Sequence, residues 1–403
     1  MSASAADLDA ADPLARFRER FLPAPDVTAY LDGNSLGRPL AASIARVEDV
    51  ARTQWAGRLI RGWDDGWLDL PVRLGDELGR VTLGAASGQT VIGDSTTVLL
   101  YKLIRAALDL RPGTASDRRD EIVIDRDDFP TDRYLVESIA AERGLTVRWI
   151  DEGDVTPERV AAVVGDRTAV VVLSAIAYRS GFLAELPAIT ELVHDAGALI
   201  LWDLSHSVGV VEHELDAWGV DLAVGCTYKY LNGGPGAPAF AYVNAALLDD
   251  LRQPITGWLG SARPFEMGQG YRPGPGMRRV LSGTPPVLGM VGLHDSLALI
   301  AEVGLPAIRA KSVALTEFAI ALADELLPDA ELATPRDPAR RGSHVTLDHP
   351  VFEALMPRLW ERGVIPDFRR PTGIRLGLSP LSTSFSELDL GVRAIAEQLA
   401  AAR

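Results

Sequence analysis

The sequence predicts an α/β protein: a mostly parallel central sheet flanked by helices, with a smaller α+β lobe. From about Thr90, short β-branched runs alternate with amphipathic helical stretches, the pattern of successive βαβ units. Around Gly283-Thr284-Pro285-Pro286 that alternation stops, and a long helical region precedes two isolated strand candidates. The length of 403 residues, 47% apolar and 24% charged, is enough for a large core in more than one lobe.

The elements follow in chain order. Residues 1–29 read as a partly ordered tail with a short helix at ARFRERF. YLDGNSLGRPL reads as a short strand entering a glycine turn, and a helical pattern runs from about Ala41 to Arg58. TVIGDSTTVLLYKLIRAALDL, EIVIDRDDFPTDRYLVESIAAERG, TVRWIDEGDVTPERVAAVVG and TAVVVLSAIAYRSGFLAELPAITELVHDAG each give strand, turn and helix. ALILWDLSHSVG adds a strand, and LAVGCTYKYL closes the series. VLGMVGLHDSLALIAEVG and IRAKSVALTEFAIALADELL are helical, and SHVTLDHP and GIRLGLS are strand candidates. The lobes meet near residue 290.

Bulk properties exclude several functions. A net charge of −15 repels polyphosphates and anionic membranes, so neither nucleic acid nor a lipid surface is expected as a partner. The single cysteine, Cys226, rules out an intramolecular disulfide and a cysteine zinc cluster, and fits a reducing cytoplasm. The N-terminus lacks the basic and apolar regions of a signal peptide. No uninterrupted apolar run reaches the roughly 18 residues of a membrane span. The six histidines show no HExxH-type spacing, and no metal is expected.

In open α/β sheets ligands sit beyond the carboxyl ends of the strands. The polar residues placed there are Asp94-Ser95-Thr96-Thr97, the run Asp127 to Asp132, Ser174, Asp203 with Ser205 and His206, and Thr227-Tyr228-Lys229. Taken singly, most have plain structural uses. DSTT is a good helix cap, yet its free amides also suit a phosphate. Asp203 serves as a structural carboxylate or as the partner of a buried cation. Lys229 follows an apolar strand and precedes a tight NGGPG turn, an unusual place for a solvated charge. Together, in this order, they match one chemistry. A phosphate cradle, an acid facing a ring cation and a lysine in an apolar site are what pyridoxal 5′-phosphate (PLP) requires, with the lysine as its covalent anchor.

YLDGNSLGRP, DDFPTDRY, WDLSHSVG, CTYKYLNGGPGAPAF, GWLG, SGTPP and GIRLGLSPL together resemble kynureninase, a fold-type-I PLP enzyme family related to class V aminotransferases. The resemblance spans about Tyr30 to Phe385. It implies the fold-type-I transferase architecture, with segment 1–45 packing on a small domain of residues 290–403 and a large PLP-binding domain of residues 46–289. It implies Lys229 as the anchoring lysine and Tyr228 as its acid–base neighbour. Asp203, His206, Ser174, Thr96, Thr97, Thr131 and Asp132 are the implied cofactor shell, with Phe129 stacked on the ring. Trp258 and Thr284 resemble phosphate contacts crossing from a partner subunit, which implies a homodimer with shared active sites. Arg375 resembles the clamp on the substrate α-carboxylate, a role suited to a planar guanidinium. Asn34 resembles part of the site rim and Trp63 part of the aryl pocket. The implied reaction is hydrolytic Cβ–Cγ cleavage of L-kynurenine, or its 3-hydroxy form, to the anthranilate and L-alanine. The rival readings are a class V aminotransferase on another amino acid and, more distantly, a non-catalytic PLP-binding regulator. A cysteine desulfurase needs a cysteine on a mobile loop, and Cys226 lies in an apolar strand.

Overall fold

The computed structural model describes residues 4–110, 119–151 and 153–402. Its strands are β1 (Ala29–Leu31), β2 (Thr90–Gly93), β3 (Glu121–Asp125), β4 (Thr146–Ile150), β5 (Thr168–Ser174), β6 (Leu199–Asp203), β7 (Leu222–Gly225), β8 (Ala239–Val243), β9 (Glu331–Leu332), β10 (His344–Asp348), β11 (Val364–Arg369) and β12 (Gly373–Gly377). They form a seven-stranded sheet in the order β2-β8-β7-β6-β5-β3-β4 and a five-stranded sheet in the order β1-β11-β12-β10-β9.

In the large sheet β3 to β7 are mutually parallel, and β8 is antiparallel to both its neighbours, β7 and β2. Six strands therefore point one way and end on one edge. Successive side chains of the central strands enter opposite cores: Val171, Leu173, Ile200 and Trp202 one, Val170, Val172, Leu199 and Leu201 the other. A sheet covered on both faces explains why these strands read as unbroken apolar runs. Each such fully buried side chain contributes roughly 1.5–3 kcal/mol. β8 is absent from the sequence reading because Gly233 to Pro238 reads as one loop and masks the AFAYV run behind it.

The small sheet takes β1 from the N-terminal segment, parallel to β11, and the rest from the C-terminal region. One face packs on the helices Leu305–Leu326, Phe352–Glu361 and Phe385–Ala401 through Leu31, Val345, Leu347, Ile374 and Leu376. The period of two then turns His344, Thr346 and Arg375 toward the other face. β11, which the sequence reading also lacks, adds Asp367 and Arg369 to that face, because Val364 and Phe368 belong to the core side.

The start of the chain differs from the tail expected there. Ser4 and Asp7 form a capping box for the helix Ala5–Ala11, and ARFRERF forms a 3-10 turn over Ala15–Arg20. The helical pattern from Ala41 is regular to Asp49 and continues through wide turns over Val50–Trp55. Among the described residues, no single helix is long and apolar enough to cross a membrane.

Candidate active site

At the common carboxyl edge of the large sheet lies a cavity of about 390 Å³. Asp94, Ser95, Thr96, Thr97, Phe129, Thr131, Asp132, Ser174, Asp203, His206, Tyr228 and Lys229 all line it. Register brings them together: Ser174 and Asp203 are paired residues at the ends of adjacent parallel strands.

Lys229 sits at the centre. Its Nζ donates to His206 Nε2 at 2.9 Å, and His206 is buried with its Nδ1 lacking a partner. Burial, and then the Lys229 charge, push the His206 pKa well below its usual value, so the ring is neutral and accepts. The loop that carries Lys229 is locked. Asn232 N–H donates to Lys229 O at 2.9 Å, Gly233 N–H to Thr227 O at 2.9 Å, and Gly37 N–H to Tyr228 O at 2.8 Å. A Cβ on Gly37 would sit 2.3 Å from Lys229 O, so only glycine lets the 32–37 turn dock there.

Three buried carboxylates cluster at this edge, Asp203 and Asp132 lining the cavity and Asp128 behind Ser174. Asp203 accepts from Ser205 N–H at 2.7 Å. Asp128 accepts from Ser174 Oγ at 2.5 Å and from Phe129 N–H at 2.7 Å, which fixes the start of the helix Pro130–Arg143. Asp128 Oδ2 and Asp132 Oδ2 are buried without partners. Burial, followed by the Asp203 and Asp128 charges, drives the Asp132 pKa well above the ordinary range. Asp128 is raised to about 6, first by burial. Buried carboxylate oxygens without donors call for a cation.

A third group faces the cavity at the start of the helix Thr96–Leu110. Val98 N–H reaches Ser95 Oγ at 3.4 Å and Leu99 N–H reaches Ser95 O at 3.0 Å, while the Thr96 and Thr97 amides belong to the turn that has no helical acceptor. Asp94 holds a left-handed backbone with φ 47°. The fully buried Lys102 pins it, with Nζ 2.6 Å from Asp94 Oδ2 and 2.7 Å from Val280 O. Nothing in the sequence singles out Lys102, because lysine inside an amphipathic helix ordinarily reads as surface.

The remaining wall comes from the small sheet and the 32–36 turn. Arg375, only 1% exposed, donates from Nη1 to Tyr178 O at 2.5 Å and from Nη2 to Ser35 Oγ at 3.0 Å, and pairs with Asp367 at 2.6 Å. Asn34 accepts from Arg375 Nε at 2.8 Å and donates to Asp32 Oδ1 at 3.2 Å in the amide orientation that satisfies both. Asn34 is thus fully buried behind the arginine rather than on the rim; Ser35 lines the cavity instead. Phe129 is 39% exposed over the cavity, edge-on to Tyr178 with ring centroids 5.4 Å apart. Tyr178, Ile176 and Arg369 are lining residues that the sequence reading did not single out.

Three residues lie apart. Trp63 stacks edge-on with Trp258 at 5.5 Å and with Trp67 at 6.0 Å. Trp258 borders a separate, open cavity of about 600 Å³ lined by residues between Thr256 and Arg272. Thr284 is exposed. Within one chain none of the three lines the lysine cavity.

A 41% identical relative, kynureninase of Pseudomonas fluorescens, aligns over 397 residues, 97% of this chain and 94% of that protein. The chain belongs to the kynureninase family. Kynureninase of Burkholderia pseudomallei is 42% identical over 94% of this chain and 91% of its own length. The family model for the kynureninase C-terminal domain matches residues 308–395, the region of the small sheet. Among solved structures, a variant of the C-DES protein with glycine covalently linked to its PLP cofactor superposes with a TM-score of 0.81 at 19% identity, over 94% of this chain and 99% of that one. Apo cysteine desulfurase of Thermococcus onnurineus superposes with a TM-score of 0.77 at 18% identity, over 96% and 98%. These two establish the fold-type-I architecture alone. Desulfuration does not carry over, because Cys226 is buried and burial raises its thiol pKa.

Proposed function

We propose that the chain is a PLP-dependent hydrolase that cleaves the Cβ–Cγ bond of L-kynurenine to give anthranilate and L-alanine. The observation that carries this reading is the cavity that joins a lysine amine, the unpartnered buried carboxylate of Asp132 beside Asp203, and a helix N-terminus, in a member of the kynureninase family. The donor set fits the cofactor point for point. Lys229 Nζ suits its aldehyde, Asp203 and Asp132 its ring nitrogen, and the start of the helix at Thr96 and Thr97 its phosphate, with Ser174, Thr131 and Tyr228 around it. Phe129 is placed to cover the ring. When bound, PLP supplies an electron sink conjugated to the substrate Cα.

The chain's own groups then divide the work. Arg375 holds the α-carboxylate, which fixes the substrate relative to Lys229. Lys229 Nζ takes the α-proton, and neutral His206 Nε2 steers the amine by accepting its hydrogen bond. Water adds to the γ-ketone, the Cβ–Cγ bond breaks, and the aryl acid leaves. Tyr228 returns a proton to Cβ. Burial, then the neighbouring Cys226, raises its pKa, so Oη holds that proton across the ordinary pH range.

We further propose a homodimer in which Trp258, Thr284 and Trp63 serve the partner's cavity. That none of the three lines the chain's own lysine cavity supports this, as do exposed apolar side chains nearby: Ile60 is 76% and Met267 75% exposed. Residues 1–45, 46–289 and 290–403 are the proposed structural units, supported by β1 joining the small sheet. A reducing cytoplasm is the proposed compartment, in keeping with one buried thiol.

The test is a single assay of the PLP-loaded protein with L-kynurenine, following anthranilate fluorescence and alanine. Equal amounts of both products are expected, with 3-hydroxykynurenine run in parallel. A transamination product without anthranilate would overturn the reading.

A further inference from the structure

We propose that Arg369 is a second carboxylate-binding residue, the open half of a two-arginine clamp of which Arg375 is the prefilled half. This rests on the substrate class proposed above and names a group that the sequence did not suggest.

The alternation of β11 and β12 puts Arg369, Asp367 and Arg375 on one face of the small sheet, and Asp367 and Arg375 are directly paired across the strands. Both arginines line the cavity. Their states differ. Each nitrogen of Arg375 donates one hydrogen bond within the chain, to Asn34, Tyr178 and Ser35, and its 2.6 Å ion pair with Asp367, like that of Arg369, lacks hydrogen-bond alignment. The chain thus uses three of the five N–H donors of Arg375, which leaves two for an incoming carboxylate. Arg369 lies 3.1 Å from Asp367, but without hydrogen-bond alignment, and its buried Nε has no acceptor. Its guanidinium makes no hydrogen bond among the described residues, and its side chain is 34% exposed, so it has room to turn.

Charge points the same way. Asp367 is shared, 2.6 Å from Arg375 and 3.1 Å from Arg369, and Asp32 lies behind Arg375 across Asn34. Arg369 is therefore the less neutralised of the two cations that line the cavity. An amino acid with its carboxylate at this wall would meet the remaining capacity of Arg375 and the unfilled donors of Arg369 together. A buried donor without an acceptor is costly, and a ligand oxygen removes that cost.

The test measures equilibrium binding to the PLP-loaded protein, with no turnover involved. Two amine-free probes are used: 4-(2-aminophenyl)-4-oxobutanoate, which keeps the carboxylate, and 1-(2-aminophenyl)butan-1-one, which lacks it. Arg369→Gln is expected to weaken the acid about tenfold or more while leaving the ketone's affinity unchanged, and Arg369→Lys to recover part of the loss. Equal weakening of both probes would show that Arg369 only supports the wall, and no change in either would show that it is idle; each overturns the inference. Native protein that fails to convert L-kynurenine overturns the parent reading and this inference with it. Native protein that does convert it, with acid affinity indifferent to Arg369→Gln, overturns this inference alone.

Discussion

The two walls of the cavity are built on opposite terms. The wall at the carboxyl edge of the large sheet is incomplete in the chain alone: Asp128 and Asp132 keep buried oxygens without partners, and His206 Nδ1 has none. On the wall from the small sheet each nitrogen of Arg375 has a chain acceptor, while Arg369 Nε and Asp367 Oδ2 beside it have no hydrogen-bond partner. The first side stores unfavourable electrostatics that a ligand relieves. At Arg375 the second is preorganised and gives a ligand less room to rearrange it. A cofactor that stays bound through every turnover suits the first, and a substrate that must leave as product suits the second.

The largest expected effect breaks the first wall. Lys229→Ala is expected to lower turnover by at least about 10⁴-fold, since it removes both the proposed anchor and the proposed base, as an anthranilate assay would report. Activity near the native level would rule out the assignment of Lys229. Asp203→Asn is next. Removing one partner of a buried ion pair costs about 3–5 kcal/mol, so PLP retained on dialysis should fall by roughly 10²–10³-fold in affinity. On the second wall, Arg375→Lys is expected to raise KM about 10–100-fold with a smaller change in kcat, because a point charge replaces a planar fork. A loss confined to kcat would place Arg375 in the chemistry rather than in binding.

The same division explains what the sequence discloses. The first wall is legible because each of its residues follows a run of apolar strand residues, and strand ends on one edge of a parallel sheet converge. Asp203 and Lys229 are far apart in the chain yet share a cavity for that reason. The second wall is hidden. Arg369 and Asp367 sit on β11, where Pro366 interrupts an already mixed VIPDFR run that does not read as a strand. Arg375 stands out in GIRL only by resemblance, because an arginine in a short strand ordinarily faces solvent. Lys102 illustrates the same blindness within the large domain. Which face a charged residue takes depends on packing between two sheets distant in sequence, and no local pattern carries that information.

The smallest effect tests the stored strain directly, in the chain without PLP. The Asp132 pKa is raised in the fold, mainly by burial and then by the Asp203 and Asp128 charges, so the folded state favours its protonated form. Its favourable contribution is therefore complete below the ordinary carboxylate range, near pH 4, and is lost as pH rises toward the raised value. Asp132→Asn carries no such charge. The variant should melt at nearly the same temperature as the native chain near pH 4 and above it at pH 8, with the gap opening steadily between. Adding PLP should reverse the order, because the native carboxylate then gains its cation and the amide gains nothing. A variant that melts lower than the native chain at pH 8 in the absence of PLP would mean that Asp132 already has a stabilising partner inside the fold. The contrast between the unpartnered Asp132 and the hydrogen-bonded Arg375 would then fail at the residue where it is sharpest.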